Sequence, residues 1–145
     1  MDDRLDVLEV LNRYLHAVDT GDIAGIEACF TLDAQAEYSG RHVGNSGAEI
    51  AGYLAKAGIG TGQAWRASTH ALANWRIDVD GDRASASTMV EAMLADSPRG
   101  SGQIRRRGLN YADELVRGAD GRWRIHRRKH RLLWHHAVED GAMPG

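Results

Sequence analysis

His70 is the side chain of this sequence whose type and position best fit acid–base chemistry. Neutral imidazole accepts a proton near neutral pH, because its reference pKa is about 6.5. Residues 65–77 alternate as a strand does, and one face is mainly polar. That face carries Arg66, Ser68, His70, Leu72, Asn74 and Arg76. A polar strand face either meets bulk water, the commoner arrangement, or lines a wet pocket, and the residues alone leave both open.

The next predicted strand, residues 83–94, supplies further pocket candidates. One of its faces carries Ser85, Ser87, Met89, Glu91 and Met93. Flexible methionines suit irregular cavities, whereas a simple outward face would show mostly charge. We therefore expect four residues of these two strands to contact a bound substrate: Asn74, Met89, Glu91 and Met93.

Four histidines near the end of the sequence could suggest a metal site: His126, His130, His135 and His136. On a strand, His126, Arg128 and His130 share a face, where the intervening guanidinium repels a cation. The pattern also lacks a cysteine or carboxylate partner at ligand spacing. We therefore expect neither a metal nor an organic cofactor.

The single cysteine, Cys29, lies among apolar residues of a predicted helix, which indicates a small core side chain rather than a nucleophile. One cysteine excludes an internal disulfide and fits a reducing compartment. The acidic N-terminus is not typical of a secretory signal, and no apolar run approaches the roughly 20 residues of a membrane helix. These features predict a cytoplasmic protein without a membrane partner.

The charges are unevenly distributed, although the formal net charge is only -2. Residues 103–136 contain ten arginines and lysines but three acidic residues. Arg105, Arg106 and Arg107 would point alternately to both faces of a strand, so they do not form one patch. We expect them to make ion pairs across strands or at a dimer contact, and we expect no nucleic-acid partner.

The elements that must position these residues are three helices followed by long strands. The first helix begins at Asp2 or Asp3, places Tyr14 at the border of the core, and ends around residues 19–22. A short second helix, a short strand over residues 32–39 and a third helix opened by the Ser46–Glu49 capping box come next. Antiparallel strands then follow tight turns such as 80–81. This order predicts one α+β domain over residues 1–137 and a flexible tail over residues 138–145.

Several phrases in this order resemble the SnoaL-like branch of the nuclear transport factor 2-like superfamily. They include Arg13-Tyr14, Asp19-Thr-Gly-Asp22, Thr69-His70-x-x-x-Asn74, Tyr111-x-Asp113 and Gly121-Arg-Trp123-Arg-Ile125. The resemblance implies a cone-shaped barrel, in which a curved, mixed and mainly antiparallel sheet wraps around three N-terminal helices. It also implies a deep, mostly apolar pocket. Known relatives include scytalone dehydratase, the bile-acid dehydratase and hexachlorocyclohexane dehydrochlorinase.

The same resemblance assigns roles to individual residues. In the dehydratase and dehydrochlorinase relatives an aspartate after the first helix orients a histidine on the strand after the third helix, and Asp19 and His70 match those positions. Tyr14 matches a pocket tyrosine. An arginine of the last strand that contacts substrate in some relatives corresponds to Arg128, or to Arg127 if the alignment shifts by one residue.

The resulting functional prediction is a cofactor-independent, dehydratase-like lyase that acts on a hydrophobic small molecule. His70 would be the general base, Asp19 would orient it, and Tyr14 would polarise an oxygen. The alternatives are a ketosteroid-isomerase-like or polyketide-cyclase-like enzyme and a non-catalytic small-molecule-binding protein. We also expect a homo-oligomer, a dimer or trimer, because relatives often associate through their sheets.

Overall fold

The structure, a computed structural model, describes residues 2–60, 65–96 and 102–139. Three helices and six strands occur in these ranges. The helices are α1 (Asp3–Thr20), α2 (Ile23–Ala28) and α3 (Gly47–Lys56). The strands are β1 (Phe30–Tyr38), β2 (Arg41–Gly44), β3 (Trp65–Asp80), β4 (Arg83–Asp96), β5 (Gln103–Arg117) and β6 (Trp123–Glu139).

The six strands form one curved sheet in the order β2-β1-β6-β5-β4-β3. Only the β1–β6 pair is parallel, and every other neighbouring pair is antiparallel. The sheet does not close on itself, since β2 and β3 are its two edges. The predicted α+β fold with a mixed, mainly antiparallel sheet and three N-terminal helices is confirmed.

Side-chain caps define the ends of the helices. The Asp2 carboxylate accepts a hydrogen bond from the Arg4 backbone N–H, and the Ser46 hydroxyl accepts one from the Glu49 backbone N–H at 3.0 Å. Helix α1 ends at Thr20 and is followed by Gly21, whose φ of 71° is left-handed and suits glycine.

The end of α1 lies against the backbone that precedes β3. A Cβ atom added to Gly60 would stand only 2.6 Å from the Cα of Gly21. Only a glycine permits this approach, because any side chain would collide with backbone. The contact holds the last turn of α1, which contains Asp19, beside the start of β3.

The helices cover the inner face of the sheet. Helix α1 buries seven side chains: Val7, Val10, Leu11, Tyr14, Leu15, Ala17 and Val18. On β4 the buried inner face carries Ala84, Ala86, Thr88, Val90, Ala92 and Leu94. Most of these side chains belong to the hydrophobic core beneath the helices, so the other face of β4 points outward.

The four strand residues that were expected to contact substrate do not face the helices in the structure, for two reasons. Met89, Glu91 and Met93 lie on the outer face of β4, because the apolar alternate face meets the helices. Asn74 is exposed on β3, since a register shift between Leu72 and Trp75 exchanges the two faces of that strand. These four residues therefore point away from the helices or into solvent.

Several element boundaries differ from the sequence-based prediction. Strand β1 begins at Phe30 and makes a hairpin with β2, which the prediction did not include. Val138 and Glu139 still belong to β6, whereas residues 140–145 lie outside the described ranges, so the flexible tail stays a prediction there.

None of the described helices is both long and apolar enough to span a membrane.

Candidate active site

A cavity of about 350 Å³ lies between the helices and the inner face of the sheet. Its apolar wall includes Val18, Leu54, Ile59, Trp65, Ala92, Leu94 and Leu109. Its polar lining consists mainly of Tyr14, Tyr38, Ser68, His70, Arg107, Tyr111 and His130. A larger depression of about 680 Å³ on the outer face is lined by charged, exposed side chains such as Glu114 and Lys129. The residues suited to acid–base chemistry converge in the smaller cavity.

Asp19 and His70 form a hydrogen-bonded pair at this cavity. The Nδ1 atom of His70 lies 2.6 Å from the Oδ1 atom of Asp19, and the His70 backbone N–H donates to Oδ2 at 2.8 Å. The Ser68 hydroxyl also donates to Oδ1 at 2.8 Å. The side chain of His70 is only 10% exposed, so the pair is largely shielded from water.

The charge state of Asp19 decides which nitrogen of His70 can act as a base. Burial favours the neutral carboxyl group, but the hydrogen bonds from His70 and Ser68 outweigh it and hold the pKa of Asp19 below its usual range. An ionised carboxylate only accepts hydrogen bonds, so Nδ1 of His70 carries the hydrogen. In the neutral ring, Nε2 is then the basic atom.

We expect Asp19→Asn to lower the free energy of unfolding by about 1–3 kcal/mol at pH 7, because it removes a charge-assisted hydrogen-bond acceptor. The folded-state pKa of Asp19 is lowered, so the stabilisation is complete above the unfolded-state pKa of about 3.9. It disappears as the pH falls through the folded-state pKa. Urea denaturation of both proteins between neutral pH and about pH 2 measures this. A difference that does not change with pH would contradict the assignment.

Three tyrosines lie side by side next to the Asp19–His70 pair. The hydroxyl oxygens of Tyr14 and Tyr38 are 2.5 Å apart, and the ring of Tyr111 meets that of Tyr14 edge-on at 5.9 Å. Burial raises the pKa of each phenol well above its ordinary value, although the nearby positive charge of Arg128 works in the opposite direction. The three side chains are therefore neutral at physiological pH and can act as hydrogen-bond donors.

Arg128 lies beneath this tyrosine cluster. Its Cζ atom is 4.2 Å from the ring centroids of both Tyr14 and Tyr111. Its Nε and Nη2 atoms donate to the two carboxylate oxygens of Asp113 at 2.7 and 2.8 Å. Burial alone would lower its pKa, but the Asp113 carboxylate raises it well above the ordinary value.

The predicted contact of Arg128 with substrate does not match this placement. The Arg128 side chain is 2% exposed and contacts the rings of Tyr14 and Tyr111, which line the cavity, but Arg128 is not itself one of the lining residues. The alternative residue, Arg127, points outward and lies 3.9 Å from Glu114. The alternation along β6 places one of the two arginines inside and the other outside.

His130 completes the aromatic wall. Its ring stacks on Tyr38 with centroids 4.7 Å apart and meets the edge of Tyr111. Burial, followed by the positive charge of Arg128, lowers the pKa of His130 to about 4. It is therefore a neutral member of the cavity at physiological pH.

The structure thus brings Asp19, His70 and Tyr14 to one cavity. Sequence reasoning missed Tyr38 and Tyr111 as cavity residues, and it considered His130 only as a metal ligand. The alternation of β6, which places His126, Arg128 and His130 on one face, was the available signal for His130. Nothing local in the sequence indicates that Tyr38 reaches Tyr14.

The remaining candidates have other surroundings. His126 lies near Thr31 and Asp33, and His135 and His136 are exposed on β6. No group of three or more metal-ligating side chains occurs within the part of the chain that the structure describes. Cys29 is buried, its thiol donates to the Gly25 carbonyl oxygen at 3.3 Å, and burial raises its pKa, as suits a core side chain.

Comparison with solved structures identifies proteins that share this fold. The solved structures that are similar over most of the chain include three whose names are informative. A candidate scytalone dehydratase from Novosphingobium aromaticivorans DSM 12444 has a TM-score of 0.79 and 18% identity, covering 99% of this chain and 95% of that chain. Hexachlorocyclohexane dehydrochlorinase LinA-type3 from Novosphingobium barchaimii LL02 has a TM-score of 0.77 and 16% identity, covering 98% and 95%. ActVI-ORFA from Streptomyces coelicolor has a TM-score of 0.74 and 20% identity, covering 89% and 96%.

Identities this low establish a shared fold and nothing finer. No curated protein matches the sequence significantly. The family model of the SnoaL-like domain, however, matches residues 1–129 of the 145. Together with the cone-shaped arrangement of helices and sheet, this match confirms the sequence-based assignment: the chain belongs to the SnoaL-like domain family of the nuclear transport factor 2-like superfamily.

Proposed function

We propose that this protein is a cofactor-independent lyase that eliminates water or a similar leaving group from a largely apolar small molecule. The observation that carries the proposal is the Asp19–His70 pair, with Nδ1 and Oδ1 2.6 Å apart at the wall of a cavity lined about equally by apolar and polar side chains. A carboxylate in this position fixes the tautomer of the imidazole and stabilises the imidazolium that forms during reaction. This is the arrangement that a general base needs.

The chemical step balances with residues of this chain. Nε2 of His70 takes a proton from carbon, the electrons of that C–H bond form a new C=C bond, and the leaving group departs with its bonding electrons. If the leaving group is a hydroxyl, the imidazolium returns its proton to the departing oxygen, so water leaves and neutral His70 is restored. A halide would leave as the anion, and the proton would pass to solvent.

The tyrosine pair supplies hydrogen bonds rather than protons. Because burial holds Tyr14 and Tyr38 in the neutral form, their hydroxyl groups can donate to an oxygen that gains negative charge. One of the two hydroxyls donates to the other, which leaves one hydrogen for a substrate oxygen. An enolate formed next to the departing group is the species this arrangement would stabilise.

The names of similar structures support the same class of reaction. Two of them are called a dehydratase and a dehydrochlorinase, and both reactions are eliminations. The rival functions on this scaffold are a ketosteroid-isomerase-like or polyketide-cyclase-like proton transfer and simple ligand binding. Exposed apolar side chains in the second half of β6, including Leu133 and Trp134, support the predicted dimer or trimer.

Product analysis distinguishes these alternatives. The purified protein should be incubated with fused-ring β-hydroxy ketones and chlorinated cyclohexanes, and the products analysed by mass spectrometry. A lyase is expected to give a product lighter by one water or one hydrogen chloride. A product of unchanged mass would indicate an isomerase, and one-to-one binding without any product would indicate a binding protein. Either result would contradict the proposed elimination.

A further inference from the structure

Arg107 stands apart from the other arginines of β5. Arg105 lies 3.5 Å from the carboxylate of Asp96, and Arg106 pairs with Glu91 across the outer face. These two contacts are the cross-strand ion pairs expected from the arginine run. Arg107 makes no ion pair with an acidic residue of the described ranges. The two internal segments outside those ranges, residues 61–64 and 97–101, contain no aspartate or glutamate.

Strand pairing directs Arg107 into the cavity. Its cross-strand neighbour on β4 is Ala92, which is 1% exposed and belongs to the inner face. Directly paired residues share a face of the sheet, so the Arg107 side chain points inward as well. Arg107 and Ala92 both line the cavity that contains His70.

The cavity lining therefore has one positively charged side chain, and the Asp19 carboxylate that is hydrogen-bonded to His70 lies behind the lining. Among its described lining residues, Arg107 is the one that stays charged at every physiological pH. Arg128, behind the tyrosines, is neutralised by Asp113 at 2.7 Å, and His130 is neutral. Arg107 is half-buried beside apolar walls, and no acidic residue of the described ranges pairs with it, so a ligand that supplies the opposite charge is favoured at this position.

We propose that Arg107 anchors a carboxylate of the substrate, so that the natural substrate is an apolar carboxylic acid. A guanidinium matches a carboxylate geometrically and can donate two parallel hydrogen bonds to it. This inference rests on the proposed function in that it assigns the substrate class of the same cavity. In that arrangement the acid group lies at Arg107 and the reacting carbon lies near His70.

A matched pair of probes tests the anchor without requiring turnover. 2-Naphthoate and 2-naphthamide have nearly the same shape and differ in charge. Isothermal titration calorimetry on the wild type is expected to show that 2-naphthoate binds about tenfold more tightly, because one charge-assisted contact is worth roughly that factor. Added salt should weaken the binding of 2-naphthoate and leave that of 2-naphthamide unchanged.

Variants of neighbouring arginines identify the residue responsible. Arg107→Gln is expected to weaken 2-naphthoate binding about tenfold and to change 2-naphthamide binding less than twofold, because only the charge-assisted contact is lost. Arg107→Lys should retain part of the preference. Arg106→Gln removes the same charge from the outer face and should retain all of it. Matching thermal unfolding midpoints would verify that the variants fold.

Three results would overturn the proposal: equal affinities of the wild type for both probes, no binding of either at millimolar concentration, or a preference that survives Arg107→Gln. The outcome is independent of the elimination chemistry. A protein that binds 2-naphthoate through Arg107 but yields no elimination product would refute the lyase function and leave the anchor in place. Elimination without an Arg107-dependent preference would do the reverse.

Discussion

Replacing His70 with asparagine is expected to lower kcat/KM for elimination by about a thousandfold, within the range that general acid–base catalysis contributes. Asparagine occupies similar space and can still hydrogen-bond to Asp19, but it has no basic nitrogen to take a proton from carbon. The loss should fall mainly on kcat, because proton abstraction belongs to the transition state rather than to binding. Steady-state kinetics on whichever substrate the product analysis identifies would measure it.

A double variant shows whether Asp19 acts through His70. Asp19→Asn alone should also lower kcat, since the imidazole loses the carboxylate that fixes its tautomer. Adding Asp19→Asn to His70→Asn should cost little more, because residues that work as a unit give strongly non-additive losses. His16→Asn on the exposed side of α1 is the matched control and should leave kcat/KM unchanged. Wild-type turnover by His70→Asn would remove this histidine from the mechanism.

Breaking the buried pair of Asp113 and Arg128 is expected to cost about 3–5 kcal/mol of unfolding free energy, because it leaves one charge buried without its partner. The side chains are 0% and 2% exposed, so water has little access to the remaining guanidinium. Asp113→Ala should show the full loss in urea denaturation. Restoring neutrality with Arg128→Met in the same chain should recover a large part of it.

The next residue along β5 offers a matched control for that loss. Glu114 and Arg127 form an exposed pair with oxygen and nitrogen 3.9 Å apart, and both side chains are more than 60% exposed. Glu114→Ala removes the same kind of carboxylate and should cost less than about 1 kcal/mol. If Asp113→Ala were no more damaging than Glu114→Ala, the buried pair would not be a main support of this part of the fold.

The pair also links the stability of the fold to the candidate active site. Arg128 contacts the rings of Tyr14 and Tyr111 as well as the Asp113 carboxylate. A change that releases its guanidinium would therefore move the tyrosines that line the cavity. We therefore expect Asp113→Ala to lower activity as well as stability, although the Arg128 side chain is only 2% exposed.

Much of the architecture could be derived from the sequence. Apolar spacing and capping residues determine the three helices, as the Ser46 cap of α3 illustrates. Alternation and turn residues such as Gly81 indicate the long strands, because a strand's period of two is a local property. The family resemblance supplied the pairing of Asp19 with His70, and the structure brings these two residues together.

The tertiary structure decided which face of each strand meets the helices. Alternation separates two faces but does not say which one is inner, so the sequence predicts Met89 and Met93 in the cavity, whereas the structure has them on the outer face of β4. A bulge after Leu72 exchanges the faces of β3, which moves Asn74 out of the cavity. No local pattern marks that extra residue.

Long-range contacts decided the rest of the site. Tyr38 lies beside His130 because β1 pairs with the distant strand β6, and helix α1 then packs Tyr14 against it. Arg107 faces the cavity because its register with β4 pairs it with Ala92. Local preferences act over a few residues, whereas register depends on packing over the whole sheet. Local preferences therefore specify the fold class, the helices and the available chemistry, whereas packing over the whole sheet specifies which side chains share the cavity.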